Sequence, residues 1–421
     1  MKIAIIAPSA MPSRRANTIQ TAKMAQAFAR LGHEVLLIAS PASPFRSKAD
    51  ETSSPLTVES GESFATSPFM GKGWGGGWNS SFAHHYGLDT PFQIAYLKPL
   101  PALRRYDFAL RSLILAQRWQ ADLIYTRLPQ AAALSSLLGI QTIFEIHDFP
   151  QGAAATWLKI FLHGKGASHL VTITHALADS LHLAFPQISI SPQASQTHPF
   201  LIIAPDGVDL ERYTPMLTPD QARQQLQSHG FSLPSQFIAG YTGHLYAGRG
   251  IDLILQLAQQ LPEVFFLLVG GEEADRQRWQ KTQHQLHLSN ILLRGFVPNA
   301  ELPLYQMACN VLLMPYQEQV AASSGGNIAA YLSPMKLFEY LASGRPILAS
   351  DLGVFHEILN PENAILLPPQ DLAAWSNAIS ELRNSPQKRE QLGQSARQTA
   401  LRYSWEERAH HILYPIHQTY Q

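Results

Sequence analysis

A run of residues near position 335 has the composition of an anion-binding helix start. In the stretch SPMKLFEYLASGRPILASD, we expect Ser333 at the N-cap, Pro334 at the first helical position and Gly344 just after the helix. Free N–H groups and the helix dipole favour negative charge at such a start, and Lys336 would add a full positive charge. The alternative is an ordinary helix whose Lys336 and Glu339 are solvated.

A glycine-marked loop in the segment GYTGHLYAGRGIDLIL could also hold a phosphate. The pattern predicts a strand, a loop and a helix that opens at Ile251. Gly243 permits close approach of the backbone to a phosphate, and Arg249 can offer a guanidinium fork to two oxygens. A single strand–loop–helix unit of this kind is weak evidence by itself.

Polar residues end two predicted strands in the first half of the chain. The segment QTIFEIHD ends on His147 and Asp148, and the strand before it ends on Arg127. Ligands bind at the carboxyl edge of open α/β sheets. The His147–Asp148 pair could therefore shuttle a proton, or it could cap the next loop, and Arg127 could face an acceptor. Arg14, in the loop after the first strand, could supply positive charge or remain solvated.

The elements that must position these residues follow an α/β pattern. Strands predicted at Lys2–Pro8 and Glu34–Ser40 flank a helix predicted at Ile19–Leu31, and strands and helices alternate again in the second half. Such alternation is typical of parallel, doubly wound sheets. Because 421 residues are too many for one hydrophobic core, we expect two domains of roughly 200 residues each.

The stretch from Pro41 to Tyr86 lacks helix or strand periodicity and is rich in Ser, Pro and Gly. We interpret it as an irregular insertion, about residues 41–90, because so long a structureless loop is unusual inside a compact domain. Its aromatic residues could cover an acceptor, lie at a lipid interface or pack back onto the domain. These residues are Trp74, Trp78, Phe82 and Tyr86.

Composition narrows the class of protein. The formal charge is zero, but Lys and Arg outnumber Asp and Glu by 16 to 11 up to Pro205, which favours an anionic or membrane-surface partner for the first half. The single Cys309 excludes an intrachain disulfide, and no Cys/His spacing indicates zinc. No apolar run approaches about 18 residues, so we expect no membrane span. We expect a cytoplasmic protein that binds no nucleic acid, and we leave open peripheral contact with the inner face of the membrane.

The stretch SPMKLFEYLASGRPI closely resembles the donor-site motif of the family 4 type retaining glycosyltransferases, also described as glycosyl transferases group 1, which have the GT-B fold. The resemblance implies an α/β chain with two Rossmann-like doubly wound domains facing each other across a cleft. It also implies that Glu339, as the second Glu of the family's E-x7-E pattern, holds the ribose hydroxyls of a nucleotide sugar. The first Glu of that pattern falls on Tyr331.

Two segments that resemble the same family suggest domain limits. APDGVDLERY resembles the segment that joins the two domains, which implies an acceptor domain at residues 1–205 and a donor domain at residues 206–403. YSWEERAHHILYPIHQTY resembles the family's final segment, which implies that a last helix at 404–421 crosses back to the first domain.

Three further segments that resemble the family imply roles for single residues. GYTGHLYAGRG places His244 and Arg249 at positions that neutralise the donor diphosphate. GFVPNAEL places the backbone near Val297 against the nucleotide base. EIHD places His147 against the donor sugar.

The resemblance implies a retaining, hexosyltransferase-type enzyme. It would move a sugar from a nucleotide-diphosphate sugar to a hydroxyl of a glycan, a lipid-linked or a small-molecule acceptor, as in polysaccharide or glycolipid biosynthesis. No D-x-D pair occurs in the sequence, so we expect no metal and no other cofactor. The alternatives are a nucleotide-sugar epimerase of similar fold and a non-catalytic nucleotide-sugar binding protein. The second alternative arises because Tyr331 and His244 depart from the family pattern.

The residue patterns and the resemblance together assign site residues in three groups. The catalytic residues are His147, Arg249 and Lys336. The donor-binding residues are Gly243, His244, Val297, Ser333, Met335, Leu337 and Glu339. The residues on the acceptor or phosphate side are Arg14, Asn17 and Arg127.

Overall fold

The computed structural model describes residues 1–42, 78–100, 103, 105–189, 200–321 and 327–419. The chain forms two compact units. The first consists of Met1–Ala83, Leu88–Phe144 and Gly152–Ser168, and the second of His84–Gly87, Glu145–Gln151 and His169–Gln421. The sequence-based limits at 205/206 and 403/404 remain a prediction.

Seven strands make the first sheet. They are β1 (Lys2–Met11), β2 (Glu34–Pro41), β3 (Gln93–Tyr96), β4 (Leu123–Thr126), β5 (Thr142–Ile146), β6 (Ala167–Thr172) and β7 (Phe200–Ile203). Their order is β3-β2-β1-β4-β5-β6-β7, and β1 pairs in parallel with both β2 and β4. Residues Ile3, Ala4, Ile5 and Ile6 of β1 are at most 1% exposed, as expected of a strand covered on both faces.

Six helices follow the strands of this sheet. They are α1 (Ala16–Arg30), α2 (Ser80–Tyr86), α3 (Tyr106–Arg118), α4 (Pro129–Leu137), α5 (Ala153–Leu162) and α6 (His175–Ala184). Helix α1 begins three residues before the predicted Ile19 and β1 extends beyond the predicted Pro8. The reason is that Thr18, interpreted as a loop residue, lies in the first turn of α1, where its hydroxyl donates to the carbonyl of Arg15 over 2.8 Å.

Helix α2 forms inside the stretch that was predicted to be irregular, so that prediction is wrong for Ser80–Tyr86. Phe82 is 5% exposed and its ring centroid lies 6.5 Å from that of Phe92. The ring of Trp78 lies 5.2 Å from Phe92, edge to face. These aromatic contacts favour packing onto the domain for Trp78 and Phe82, while Trp74 lies outside the described residues.

Six strands make the second sheet. They are β8 (Phe237–Thr242), β9 (Val264–Val269), β10 (Ile291–Gly295), β11 (Val311–Met314), β12 (Ile347–Ser350) and β13 (Ile365–Leu367). Their order is β10-β9-β8-β11-β12-β13, and the pairs are parallel. The strand order reverses between β8 and β11, and in such sheets ligands bind outside the carboxyl ends of the strands at this point.

Eight helices complete the second half of the chain. They are α7 (Pro219–Ser228), α8 (Ile251–Gln260), α9 (Glu273–Gln285), α10 (Leu302–Met307), α11 (Met335–Ser343), α12 (Leu372–Asn384), α13 (Pro386–Ala400) and α14 (Trp405–Thr419). Alternate residues of β8 lie in different apolar clusters, with Ile238 in one and Ala239 and Tyr241 in the other. The sheet is therefore covered on both faces, and the predicted doubly wound α/β architecture is confirmed. Across the described ranges, none of the helices combines the length and the apolar composition that a membrane crossing requires.

Candidate functional site

The N-terminus of α11 lies one residue later than the sequence predicted. Pro334 is the N-cap, with extended backbone angles (φ −79°, ψ 126°), and its carbonyl accepts the N–H of Leu337 over 2.9 Å. Ser333 gives the helix no side-chain cap, so the prediction of Ser333 at the N-cap is wrong. The helix ends as expected at Gly344, whose φ of 63° is left-handed.

The side chain of Lys336 lies directly over Gly243. Gly243 has a φ of 130°, and a Cβ at this position would lie 2.8 Å from the Nζ of Lys336. The same Nζ lies 3.8 Å from the ring centroid of Tyr241 and 5.3 Å from that of Tyr316. The glycine thus provides the space for the ammonium group, and two aromatic faces attract it.

The ammonium group of Lys336 is buried and has no hydrogen-bond partner in the part of the chain that the structure describes. Burial lowers the pKa of Lys336 well below its usual value of 10.5, Arg249 lowers the pKa further, and Glu339 raises it. A buried charge without a hydrogen-bond partner is costly unless a ligand completes its environment. The arrangement therefore fits an anion.

Arg249 supplies a second positive charge beside Lys336. Its guanidinium carbon lies 4.8 Å from the ring centroid of Tyr316, and its Nε is buried with no hydrogen-bond partner among the described residues. Two glycines hold the loop against the segment after β11, since Cβ atoms at Gly248 and Gly250 would lie 2.1 Å and 1.9 Å from backbone oxygens there. The loop can therefore approach closely only because both residues lack a side chain.

Glu339 lies one turn after Lys336 and is partly exposed. Its Oε2 accepts a hydrogen bond from the Nε2 of Gln306 over 3.1 Å. Sequence motifs indicated Glu339 but gave no signal for Gln306, Tyr241 or Tyr316. The two tyrosines fall in predicted strands or next to them, and no local pattern distinguishes them from core residues.

The other residues assigned to donor binding differ in their surroundings. Leu337 and Val297 are 2% and 6% exposed and belong to an apolar core cluster. The carbonyl of His244 accepts the hydroxyl of Tyr241 over 2.6 Å, and its ring stacks on Tyr246 with centroids 4.6 Å apart. Ser333 and Met335 are partly exposed at the start of α11.

His147 lies in a buried ionic cluster of the second unit. Its Nε2 contacts the Oε1 of Glu145, and that carboxylate also accepts from the Nη2 of Arg408 over 2.9 Å. Burial raises the pKa of Glu145, but Arg408 and His147 outweigh burial and lower the pKa overall. The cluster therefore holds Glu145 as a carboxylate that orients the imidazole.

The same cluster has the donor types of a metal site. Ligand atoms of Glu145, His147 and Asp206 lie within 4.8 Å of one another. However, the guanidinium of Arg408 already neutralises Glu145, and a divalent ion there would be repelled by it. The charges of this cluster are better explained as an ion pair than as a metal centre.

The residues assigned to the acceptor side lie in the first unit. Asn17, in the first turn of α1, donates from Nδ2 to the hydroxyl of Ser9 over 2.8 Å, and its Oδ1 is buried without a partner in the described ranges. Arg127, directly after β4, donates to Gln20 over 3.3 Å. Arg14 is partly exposed. Since β1 and β4 are parallel neighbours, Asn17 and Arg127 follow the carboxyl ends of adjacent strands.

The chain is similar to known proteins in sequence and in structure. Residues 236–385 match the family model for glycosyl transferases group 1. A D-inositol 3-phosphate glycosyltransferase from Xylanimonas cellulosilytica is 25% identical over 314 residues, which cover 71% of this chain and 66% of that protein. This chain spans 66% or less of the length of the first curated relatives that it matches.

Solved structures resemble the chain over nearly its whole length. Sucrose-phosphate synthase from Thermosynechococcus elongatus superposes with a TM-score of 0.68 at 18% identity, covering 100% of this chain and 99% of that one. HepE from Anabaena, solved in complex with UDP, has a TM-score of 0.67 at 15% identity, covering 99% of this chain and 100% of that one. These likenesses confirm the predicted GT-B fold, and the family match confirms the predicted resemblance.

Proposed function

We propose that the protein is a retaining glycosyltransferase, because residues 236–385 match the family model for glycosyl transferases group 1. It moves a sugar from a nucleotide-diphosphate sugar to a hydroxyl of a glycan, lipid-linked or small-molecule acceptor. The observation that carries the proposal is the buried ammonium of Lys336, which has no hydrogen-bond partner among the described residues and lies beside Arg249.

A diphosphate carries the negative charge that would balance the cations of this arrangement. Lys336 and Arg249 supply two positive charges, and the first turn of α11 adds N–H groups and the positive end of a helix dipole. Negative charge grows on the diphosphate as the glycosidic bond breaks. Because these groups are already in place, they stabilise the transition state without reorganisation.

The nucleoside part of the donor lies along the same helix in this proposal. Glu339 accepts hydrogen bonds from the two ribose hydroxyls, and the backbone near Val297 contacts the base. The UDP held by Anabaena HepE supports a nucleoside diphosphate as the ligand class. Side chains do not select the base if only backbone groups contact it.

Retention by same-face attack is favoured over double displacement, because no carboxylate stands at the position where the family pattern has its first Glu. That position holds Tyr331, whose pKa is raised by burial and by Asp148. A phenol that keeps its proton is a poor nucleophile. We therefore propose that the acceptor hydroxyl attacks on the face that the diphosphate leaves, while His147, oriented by Glu145, holds the donor sugar.

The reaction needs no divalent metal in this proposal, because Lys336 and Arg249 already neutralise the diphosphate. The test is product analysis by mass spectrometry after incubation with UDP-, GDP- and ADP-sugars, with and without a mixed glycan and lipid extract, in EDTA. Transfer to an acceptor supports the proposal. A converted nucleotide sugar without acceptor indicates an epimerase, and binding without any product indicates a non-catalytic binding protein.

A face of α3 supports peripheral membrane contact. Its outward residues Tyr106, Leu110 and Ile114 are 43%, 51% and 40% exposed. Arg111 and Arg118 are also exposed on this helix, and its one acidic residue, Asp107, is buried. Apolar side chains flanked by cations are typical of helices that lie on anionic bilayers, so we propose an anionic lipid surface as the partner of this face.

A further inference from the structure

Gln306 is fully buried and uses its whole amide group. The residue is 0% exposed on the short helix α10. Its Oε1 accepts the hydroxyl of Tyr213 over 2.6 Å, and its Nε2 donates to the hydroxyl of Thr242 over 3.0 Å and to Oε2 of Glu339 over 3.1 Å. One acceptor and both amide hydrogens are therefore engaged.

The chemistry of the partners fixes the orientation of this amide. A carboxylate can only accept, so the amide atom that faces Glu339 must be the nitrogen. Burial raises the pKa of Tyr213 well above its usual value of 10.0, and Glu339 adds to the rise, so the phenol keeps the proton that it donates to Oε1. The network has a single arrangement of donors and acceptors.

Gln306 also connects two parts of the site. Thr242 is the last residue of β8 and directly precedes Gly243, over which Lys336 lies. The backbone N–H of Thr242 donates to the hydroxyl of Tyr340 over 2.8 Å, which fixes that strand end to α11. One amide thus links the carboxylate of Glu339 to the strand that leads into the loop at residues 243–250, here called the phosphate loop.

We infer that Gln306 is a positioning residue that holds the Glu339 carboxylate for the ribose hydroxyls, at a fixed place relative to the phosphate loop. The inference rests on the proposed function. The bond from Gln306 occupies Oε2, and within the described residues no other side chain hydrogen-bonds to Glu339, so Oε1 is left for the ligand. Gln306 itself touches no ligand.

The test compares ribose recognition with phosphate recognition. Affinities for UDP, GDP and ADP, for their 2′-deoxy forms and for inorganic pyrophosphate are measured by calorimetry. The ribose preference is the affinity for a nucleotide divided by the affinity for its 2′-deoxy form, taken for the nucleotide that binds most tightly. We expect the wild type to show such a preference. Gln306→Leu should reduce it about ten-fold, while pyrophosphate affinity stays within a few-fold. Gln283→Leu is the matched control, since the side chain of Gln283 donates to the backbone oxygens of Leu288 and Ile291, which are not residues of the candidate site. It should leave the preference unchanged.

A second variant gives a readout that structural damage would not produce. Gln306→Glu places two carboxylates about 3 Å apart, so one of them must take up a proton before it can donate to the other. Its ribose preference, relative to that of the wild type, should be low at about pH 8 and recover at about pH 5. Burial raises the pKa of Tyr213 and of Tyr340, so both phenols keep their protons over this range. Lys336 is present in both proteins, so the comparison with the wild type corrects for most of its titration.

The outcomes separate the two proposals. If the wild type prefers ribose and Glu339→Gln loses the preference while Gln306→Leu and Gln306→Glu keep it, Gln306 is not a positioning residue and the proposed function stands. If Gln306→Leu weakens pyrophosphate and both nucleotide forms equally, its role is structural and the inference fails. If the wild type binds no nucleoside diphosphate or ignores the 2′-hydroxyl, the ribose assignment and the inference fail together.

Discussion

A methyl group on Gly243 would lie 2.8 Å from the Nζ of Lys336, closer than side-chain carbon atoms approach such groups. The smallest possible substitution therefore displaces the ammonium group from its place between the rings of Tyr241 and Tyr316.

Gly243→Ala should reduce both donor affinity and turnover, each by about ten-fold, because the displaced lysine no longer meets the diphosphate and the φ of 130° disfavours a side chain. Calorimetry with UDP and steady-state kinetics measure the two effects. Gly353→Ala is the matched control, because a Cβ there has no heavy atom within 4 Å. Normal kinetics in Gly243→Ala would show that the position of Lys336 is unimportant.

Lys336 and Glu339 lie on the same helix, but their substitution should affect donor affinity and turnover differently. In the proposed function, Glu339 contacts the ribose before and during the reaction, so Glu339→Gln should weaken donor binding about ten-fold or more with a smaller effect on turnover. In the same proposal, Lys336 meets a phosphate whose charge grows in the transition state, so Lys336→Ala should lower turnover more than affinity. Donor calorimetry beside kinetics separates them. A Glu339→Gln protein with unchanged donor affinity would refute the ribose contact.

Removal of the buried charge should stabilise the free protein. Lys336→Met keeps the length of the side chain and its contact with the rings, so we expect a gain of about 1 to 2 kcal/mol in the free energy of unfolding and a loss of activity. Urea unfolding without nucleotide measures the gain. A destabilised Lys336→Met protein would mean that the ammonium group is satisfied in the free state.

The stability gained by Lys336→Met should depend on pH in one direction. The folded-state pKa of Lys336 lies well below 10.5, so between that pKa and 10.5 the unfolded chain binds more protons and wild-type stability rises with pH. The advantage of the methionine variant is therefore largest at about pH 6 and shrinks toward about pH 9.5. Unfolding curves of both proteins at a series of pH values test this expectation. A constant gap would argue against a lowered pKa.

The Glu145–Arg408 pair should matter for stability far more than an exposed pair does. Arg408→Met leaves the buried Glu145 carboxylate without its guanidinium, at an expected cost of about 3 to 5 kcal/mol. Arg383→Met, which breaks an exposed pair with Glu263, should cost less than about 1 kcal/mol. Glu145→Gln combined with Arg408→Met should recover part of the loss in urea unfolding. Equal effects of the two single arginine substitutions would show that burial adds nothing.

The face of α3 should bind anionic vesicles. Leu110→Gln with Ile114→Gln should reduce sedimentation with phosphatidylglycerol vesicles several-fold, because the apolar side chains no longer enter the interface. Leu183→Gln is the control, since Leu183 is 84% exposed on α6. Binding to phosphatidylcholine vesicles should be weak, and added salt should weaken binding to the anionic phosphatidylglycerol vesicles. If vesicles of neither kind bind the wild type, or a dimer forms through this face, the membrane proposal is wrong.

Short-range patterns in the sequence predicted several local features of the fold. Continuous apolar runs such as that of β1 and the glycine at the end of α11 follow from short-range physics. The assignment of Lys336, Arg249 and Glu339 to a donor site came from motif resemblance and stays a prediction. Ser333 failed as an N-cap because the choice between two adjacent residues depends on the ψ of Pro334, which propensity does not determine.

The contacts that support these residues were beyond sequence reasoning. The network around Gln306 joins Tyr213, Thr242 and Glu339, which lie 93, 64 and 33 residues away along the chain. No local pattern marks a glutamine whose partners come from a 3-10 helix, a strand end and another helix. The pairing of Glu145 with Arg408 spans 263 residues and was missed for the same reason.

The rings of Tyr241 and Tyr316 hold the Lys336 ammonium by attraction that has no single preferred N–H direction. A carboxylate partner would fix the rotation of the group, whereas an aromatic face leaves the ammonium free to spin about its Cε–Nζ bond. In the proposed reaction, its three hydrogens can then follow the phosphate oxygens as the leaving group moves away from the sugar. The lysine can thus remain bonded to a moving anion at little entropic cost.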